Sequence, residues 1–164
     1  MHMNKKRKAM RTGFTLIELM VVVAIVAVLT MLAVPTFTTF IAKAKRTEAY
    51  TNLHALYAAQ KGYWAEHGTY TTQLGGADGL GWQPTGYKGG GTQENFYYTY
   101  GAPGTEGVNY FTGKLQAPSS ALNSGHADKD GFLMVAAGDI DNDGMLDIIT
   151  IDQDNNIKVV QSDI

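Results

Sequence analysis

Two places in the sequence gather side chains that could do chemistry, and the more densely charged is 139-DIDNDGMLD-147. Asp139, Asp141 and Asp143 alternate there, Gly144 follows, and Asp147 closes the run. In a calcium loop, acids at positions one, three and five converge on the ion, a glycine at six makes the sharp turn, and seven offers its carbonyl. Met145 stands at the seventh position and Asp147 at the ninth. Position twelve, where an EF-hand places a bidentate Glu, holds Thr150, so this is not an EF-hand. Asp139, Asp141, Asp143, Met145 and Asp147 are therefore candidate ligands for Ca2+ in a site completed by water. A solvated turn competes with that reading, because Asp, Asn and Gly favour turns without any metal. Against it, four carboxylates within nine residues repel one another unless a cation intervenes.

The second place is Glu18, the single charge in the run Phe14 to Val34, FTLIELMVVVAIVAVLTMLAV. Twenty-one residues at 1.5 Å rise give about 30 Å of apolar helix, the thickness of a bilayer. A charge at membrane depth costs at least ~2.5 kcal/mol on insertion scales, so Glu18 is functional by default and needs a partner. A signal anchor with Glu18 at the headgroup level is the blander alternative.

Other chemistries find little support. His54, His67 and His126 have no metal-ligand spacing and no nucleophile elbow, zinc or phosphate-loop motif beside them, which argues against an enzyme. The glycines of 86-GYKGGGT-92 lack the order and the strand-to-helix setting of a phosphate loop. The formal charge of −2 hides a strong polarity: Lys5, Lys6, Arg7, Lys8 and Arg11 precede Gly13, while eight of fifteen acids lie between Asp128 and Asp154. Without residues 1–13 the chain would carry 8 basic against 15 acidic residues, a net of −7. General nucleic-acid binding is not expected of such a surface, because duplex affinity comes mainly from Lys and Arg on phosphates. There is no cysteine, so no disulfide can staple the fold.

These sites need elements to hold them. The five basic residues keep the N-terminal side in the cytoplasm and send the rest across the membrane. Beyond the apolar run, Phe37, Phe40, Ile41, Ala44, Tyr50, Leu53, Tyr57, Gln60 and Trp64 recur at intervals of three and four, which predicts one helix over 14–67 with that stripe on a soluble core. Gly68 is its expected stop. Nine glycines between Gly68 and Gly91 predict a long surface loop. Five segments then predict antiparallel strands, at 95–100, 107–113, 132–137, 147–151 and 157–160. The tyrosines Tyr57, Tyr63, Tyr97, Tyr98 and Tyr100, with Trp64, follow these periods and are expected in the core.

An ordinary signal peptide has its cleavage site after the apolar stretch. Here polar Thr15 and acidic Glu18 sit where the stretch begins. The run 13-GFTLIELMVVVAI-25 after a basic leader resembles the prepilin family. That resemblance implies an α+β type IV pilin fold, in which a long N-terminal helix crosses the membrane with its first half and packs its second half on a small antiparallel sheet. It divides the chain into a leader 1–13, a transmembrane and polymerisation helix 14–35 and an exported globular domain 36–164. It implies that a prepilin peptidase cuts between Gly13 and Phe14 and methylates the new amine. Glu18 of an adjacent subunit would then neutralise that amine, since a close pair of charges in low dielectric costs far less than two isolated ones. Pro35 lies where many pilins carry a helix-breaking proline, and either local melting or a simple kink there would follow from its missing N–H. Acidic D-x-D-x-D-G-x-x-D hairpins resemble the calcium loops of some pilin-like proteins.

The function so implied is a pilin of a type IV pilus. The precursor sits in the inner membrane, and the pilus assembly machinery builds it into a helical homo-oligomeric filament on the cell surface for adhesion, twitching motility or DNA uptake. A type II secretion pseudopilin shares the leader, the helix and often the acidic loop. A monomeric membrane-anchored calcium-binding domain is the reading from a different class.

Overall fold

A computed structural model describes residues 13–91 and 93–164. The chain falls into two compact units, divided between Thr38 and Thr39. One helix, α1 (Leu16–His67), contributes to both. Apolar, straight-chain and alanine residues carry it, and it ends where Gly68 takes φ +68 and donates its N–H to the Trp64 carbonyl at 2.8 Å. In the N-terminal unit every described side chain is exposed, Leu16, Ile17, Met31 and Leu32 among them. That is the pattern of a helix whose solvent is something other than water.

The second unit holds a six-stranded antiparallel sheet built from β1 (Thr99–Gly101), β2 (Tyr110–Phe111), β3 (His126–Ala127), β4 (Phe132–Gly138), β5 (Asp147–Asp152) and β6 (Ile157–Gln161). The order is β2-β1-β4-β5-β6, with β3 paired to the start of β4. The architecture is α+β, with the later part of α1 lying on the sheet. Alternation sets the faces: Phe132, Met134 and Ala136 of β4, with Ile149 and Ile151 of β5, join Leu53 and Leu56 of α1 in the main core. Val135 and Ala137 point the other way, where a 3-10 turn at Ser119–Leu122 covers them with Leu122. Aromatic rings fill the space between loop and sheet, with Trp82 edge-on to both Tyr100 and Phe111.

The helix stripe differs from the expected one. The buried positions of α1 are Ala42, Ala49, Asn52, Leu53, Leu56 and Gln60, whereas Phe37, Phe40, Ile41 and Trp64 are exposed. Large aromatics already occupy the sheet side, so the helix face that fits against them carries small and hydrogen-bonding residues. Asn52 shows why: its amide donates to the Tyr100 hydroxyl at 3.2 Å and accepts the Thr85 N–H at 3.0 Å. Gln60 likewise donates to the Thr71 carbonyl and accepts the Thr71 N–H. Tyr63 is half-buried, stacked on His67. The expected strands at 95–100 and 107–113 shrink to three and two residues, and β3 was not expected. The glycine-rich segment has no helix or strand, yet it contributes Tyr70, Leu74 and Trp82 to the core.

Candidate functional site

At the start of α1, Gly13, Phe14 and Thr15 lie outside the helix, and the Phe14 side chain is 80% exposed. Residues 1–12 of the expected leader fall outside the described residues. Glu18 sits in the first turn and folds back on Thr15, whose N–H donates to Glu18 Oε2 at 2.8 Å and whose hydroxyl donates to the same oxygen at 2.7 Å. The Glu18 N–H donates in return to Thr15 Oγ1 at 3.3 Å. Pro35 does not interrupt the helix, which runs through it without a break. Nearby threonines spend their hydroxyls on main-chain carbonyls: Thr30 on Val26 at 2.8 Å and Thr38 on Pro35 at 2.9 Å.

The acidic loop joins β4 to β5. Its turn depends on two left-handed residues, Asn142 at φ 66 and Gly144 at φ 91, the latter a conformation that glycine adopts without penalty. Asp139 accepts the N–H groups of Asn142 and Gly144, at 2.7 and 3.0 Å. Asp141 accepts the N–H of Asp143, and Asp143 accepts that of Met145, whose side chain is exposed. Carboxylate oxygens of Asp139, Asp141, Asp143 and Asp163 all lie within 4.8 Å of one another. Asp163 comes from beyond β6, is only 9% exposed, and accepts the Ile140 N–H at 2.7 Å. Burial and the facing Asp141, Asp143 and Asp139 push its carboxyl above the usual range.

Asp147 is not brought to this group. It opens β5 opposite Gly138, its side chain turned inward toward α1, and it is fully buried. Both of its oxygens receive Arg46, through Nε at 3.0 Å and through Nη2. The Tyr98 hydroxyl adds a bond at 2.7 Å and the Asp163 N–H another at 3.3 Å. Burial and the neighbouring Asp147 raise the Tyr98 hydroxyl's pKa, so it remains a donor. Spacing placed Asp147 among the ligands because a carboxylate at position nine looks alike whether it faces the loop or the core. The same spacing could not find Asp163, sixteen residues further on.

The four clustered oxygens are hard, anionic donors of the kind calcium takes, and they fit that ion better than zinc, which prefers nitrogen and sulfur. The histidines are scattered: His54 meets Asn155, His67 the Tyr63 carbonyl and His126 the Ser124 carbonyl.

Comparison with known proteins points the same way as the helix. The family described as the prokaryotic N-terminal methylation motif matches residues 8–34. The type IV major pilin protein PilA of Myxococcus xanthus is 54% identical over 59 residues, 36% of this chain and 27% of that protein. The type II secretion system core protein G of Vibrio cholerae is 33% identical over 123 residues, 67% of this chain and 83% of that protein. The prepilin peptidase-dependent protein D of Escherichia coli is 37% identical over 68 residues, 42% of this chain and 47% of that protein. The chain thus spans about a quarter of the Myxococcus pilin's length and most of the Vibrio protein's.

Proposed function

The chain belongs to the family of type IV pilins and type II secretion pseudopilins, and from that premise we propose that it is a major or abundant pilin of a type IV pilus. The observation that carries this reading is the apolar run from Phe14 to Val34, exposed at every position and interrupted by one carboxylate. Such a surface needs lipid before assembly and other copies of itself afterwards. In this reading prepilin peptidase removes residues 1–13 and methylates Phe14, Glu18 meets the new amine across the subunit boundary, and the globular units form the outer shell. The filament would serve adhesion, twitching motility or DNA uptake.

Processing gives the direct test. N-terminal sequencing or intact mass of surface filaments should find chains that begin at Phe14 and carry a methyl group. Filaments whose subunits retain residues 1–13 would sink the assignment. Replacing Gly13 with a bulky residue should leave the uncleaved chain in the inner membrane.

A pseudopilin reading draws on the extent of the match to the Vibrio protein, 83% of its length. Deleting the chain separates the two: lost surface fibres mark a pilin, lost protein export a pseudopilin.

We also propose calcium for the acidic loop, held by Asp139, Asp141 and Asp143 with Asp163 in the place expected of Asp147. A metal that binds only the folded state stabilises it by RT ln(1 + [L]/Kd), about 2.7 kcal/mol at a hundredfold excess over Kd. Extracellular modules bind at roughly 10⁻⁴ to 10⁻³ M, so millimolar calcium is about one to ten times Kd and stabilises the fold by about 0.4 to 1.4 kcal/mol. In detergent the chain should melt at lower temperature in chelator than in calcium, and Asp139→Ala with Asp143→Ala should abolish the difference. The gap should narrow in acid. Asp163 has a raised folded-state pKa, so its metal-free form is most favourable when protonated, and that contribution is lost as pH rises through the raised value. Equal melting with and without calcium at neutral pH would reduce the loop to an acidic turn.

A further inference from the structure

The contacts at the start of α1 bear on how Glu18 is handled before assembly. Thr15 precedes the first helical residue and Glu18 follows three positions later, the order in which a hydroxyl and a carboxylate each satisfy the other's backbone N–H. Both reciprocal bonds are formed, and the Thr15 hydroxyl adds a third by donating to the oxygen that already accepts the Thr15 N–H. The chain in which these bonds form still carries residues 1–13, so the Phe14 nitrogen is a neutral peptide amide. It cannot yet supply a cation. A carboxylate in an apolar phase needs a partner, and here its own helix start provides one.

We propose that Thr15 is a positioning residue for Glu18: in the uncleaved chain its hydroxyl and amide hold the carboxylate in cis, and assembly exchanges that contact for the Phe14 amine of a neighbouring copy. The exchange half rests on the assembly reading given above; the cis half does not. Cleavage leaves Thr15 in place but creates a positive charge, and a full unit charge adds to the hydrogen bond a Coulomb attraction to the carboxylate that a neutral donor lacks. The new amine therefore outcompetes two neutral donors, whereas before cleavage nothing does. The contact keeps Glu18 from being offered to the wrong partner while the leader is attached.

A membrane-soluble carbodiimide, dicyclohexylcarbodiimide, tests the cis half on the full uncleaved chain in membranes without prepilin peptidase. It reacts with protonated carboxyl groups in the apolar phase, a carboxylate that loses its hydrogen-bond donors takes up a proton more readily, and Glu18 is the one acid between Phe14 and Val34. Thr15→Val keeps the branched shape and removes the hydroxyl, and it should label Glu18 several-fold faster than the unaltered chain. Thr15→Ser keeps the hydroxyl and should label as slowly as the unaltered chain. Thr15→Ala repeats the loss without the branched volume, and alkaline extraction verifies that each variant is inserted. Equal labelling of all four chains, or serine labelling as fast as valine, would overturn the proposal. Filament yield from Glu18→Ala is a separate measurement, so failure of the assembly reading leaves the labelling result standing.

Discussion

Asp147→Ala should lower the stability of the globular unit by about 3–5 kcal/mol, the usual cost of removing one partner from a buried ion pair. The substitution leaves the Arg46 guanidinium, whose side chain is 17% exposed, without its carboxylate, and strands the Tyr98 hydroxyl and the Asp163 N–H as well. Three segments lose their common tie: α1 through Arg46, the head of β5 through Asp147, and the stretch after β6 through Ser162, which Arg46 also reaches at 2.9 Å. In a chain without cysteine this cluster is one clip that fastens the C-terminal part of the sheet to the helix, beside the Lys45 contact to Ile140 and the His54 contact to Asn155. The denaturant midpoint of the full chain in detergent measures the effect. Arg46→Met with Asp147→Leu should recover the share of the loss that comes from the unpaired guanidinium, while the Tyr98 hydroxyl and the Asp163 N–H stay without their acceptor. A shift under 1 kcal/mol for Asp147→Ala would show that the pair contributes little. The same experiment separates the two roles considered for Asp147. As a structural partner it leaves the calcium-dependent rise in melting temperature intact in any folded variant; as a ligand its loss would remove that rise.

The contrast between Asp147 and Asp163 shows what the sequence could and could not disclose. Elements set by local preference were legible: the apolar length of α1, its stop at Gly68, and strands β4, β5 and β6, where β-branched and apolar residues run between Asn, Asp and Gly turns. The capping pair Thr15 and Glu18 was not read from the sequence, where the charge of Glu18 took precedence; the reciprocal bonds at the helix start disclose it. What depended on tertiary packing was hidden. Ala49 and Asn52 are buried while Phe40 and Trp64 are not, because Tyr100 of β1, with Phe96 and Tyr98 just before it, had already filled the volume beneath the helix. Hydrophobicity ranks side chains by their gain on leaving water, and cannot report that the space is taken. Asp163 reaches the loop only because β6 returns antiparallel along β5, a register that no short motif encodes. The short β1 and β2 have the same origin: close main-chain bonds such as Lys114 N–H to the Phe96 carbonyl take over where the ladder was expected to continue.

Glu18→Ala should leave the chain inserted and reduce filament yield by tenfold or more. Insertion cannot suffer, since removing a carboxylate from the apolar run spares at least ~2.5 kcal/mol on insertion scales. Assembly loses the partner of the Phe14 amine. Two unit charges 4 Å apart attract by on the order of 4 kcal/mol at an effective dielectric of 20, and only part survives the desolvation of both groups. Even a residual ~1.4 kcal/mol is a factor of ten in each subunit addition, and a filament multiplies that factor along its length. Glu18→Gln sharpens the argument, because it keeps the size of the side chain and an acceptor for Thr15 while removing the charge. If charge pairing drives registration, Gln should fail nearly as badly as Ala. If the side chain serves only to cap the helix, Gln should assemble normally, since Glu and Gln cap alike. Sheared filament protein, normalised to the membrane-inserted pool, gives the yield, and a normal yield from both variants would remove Glu18 from the assembly mechanism.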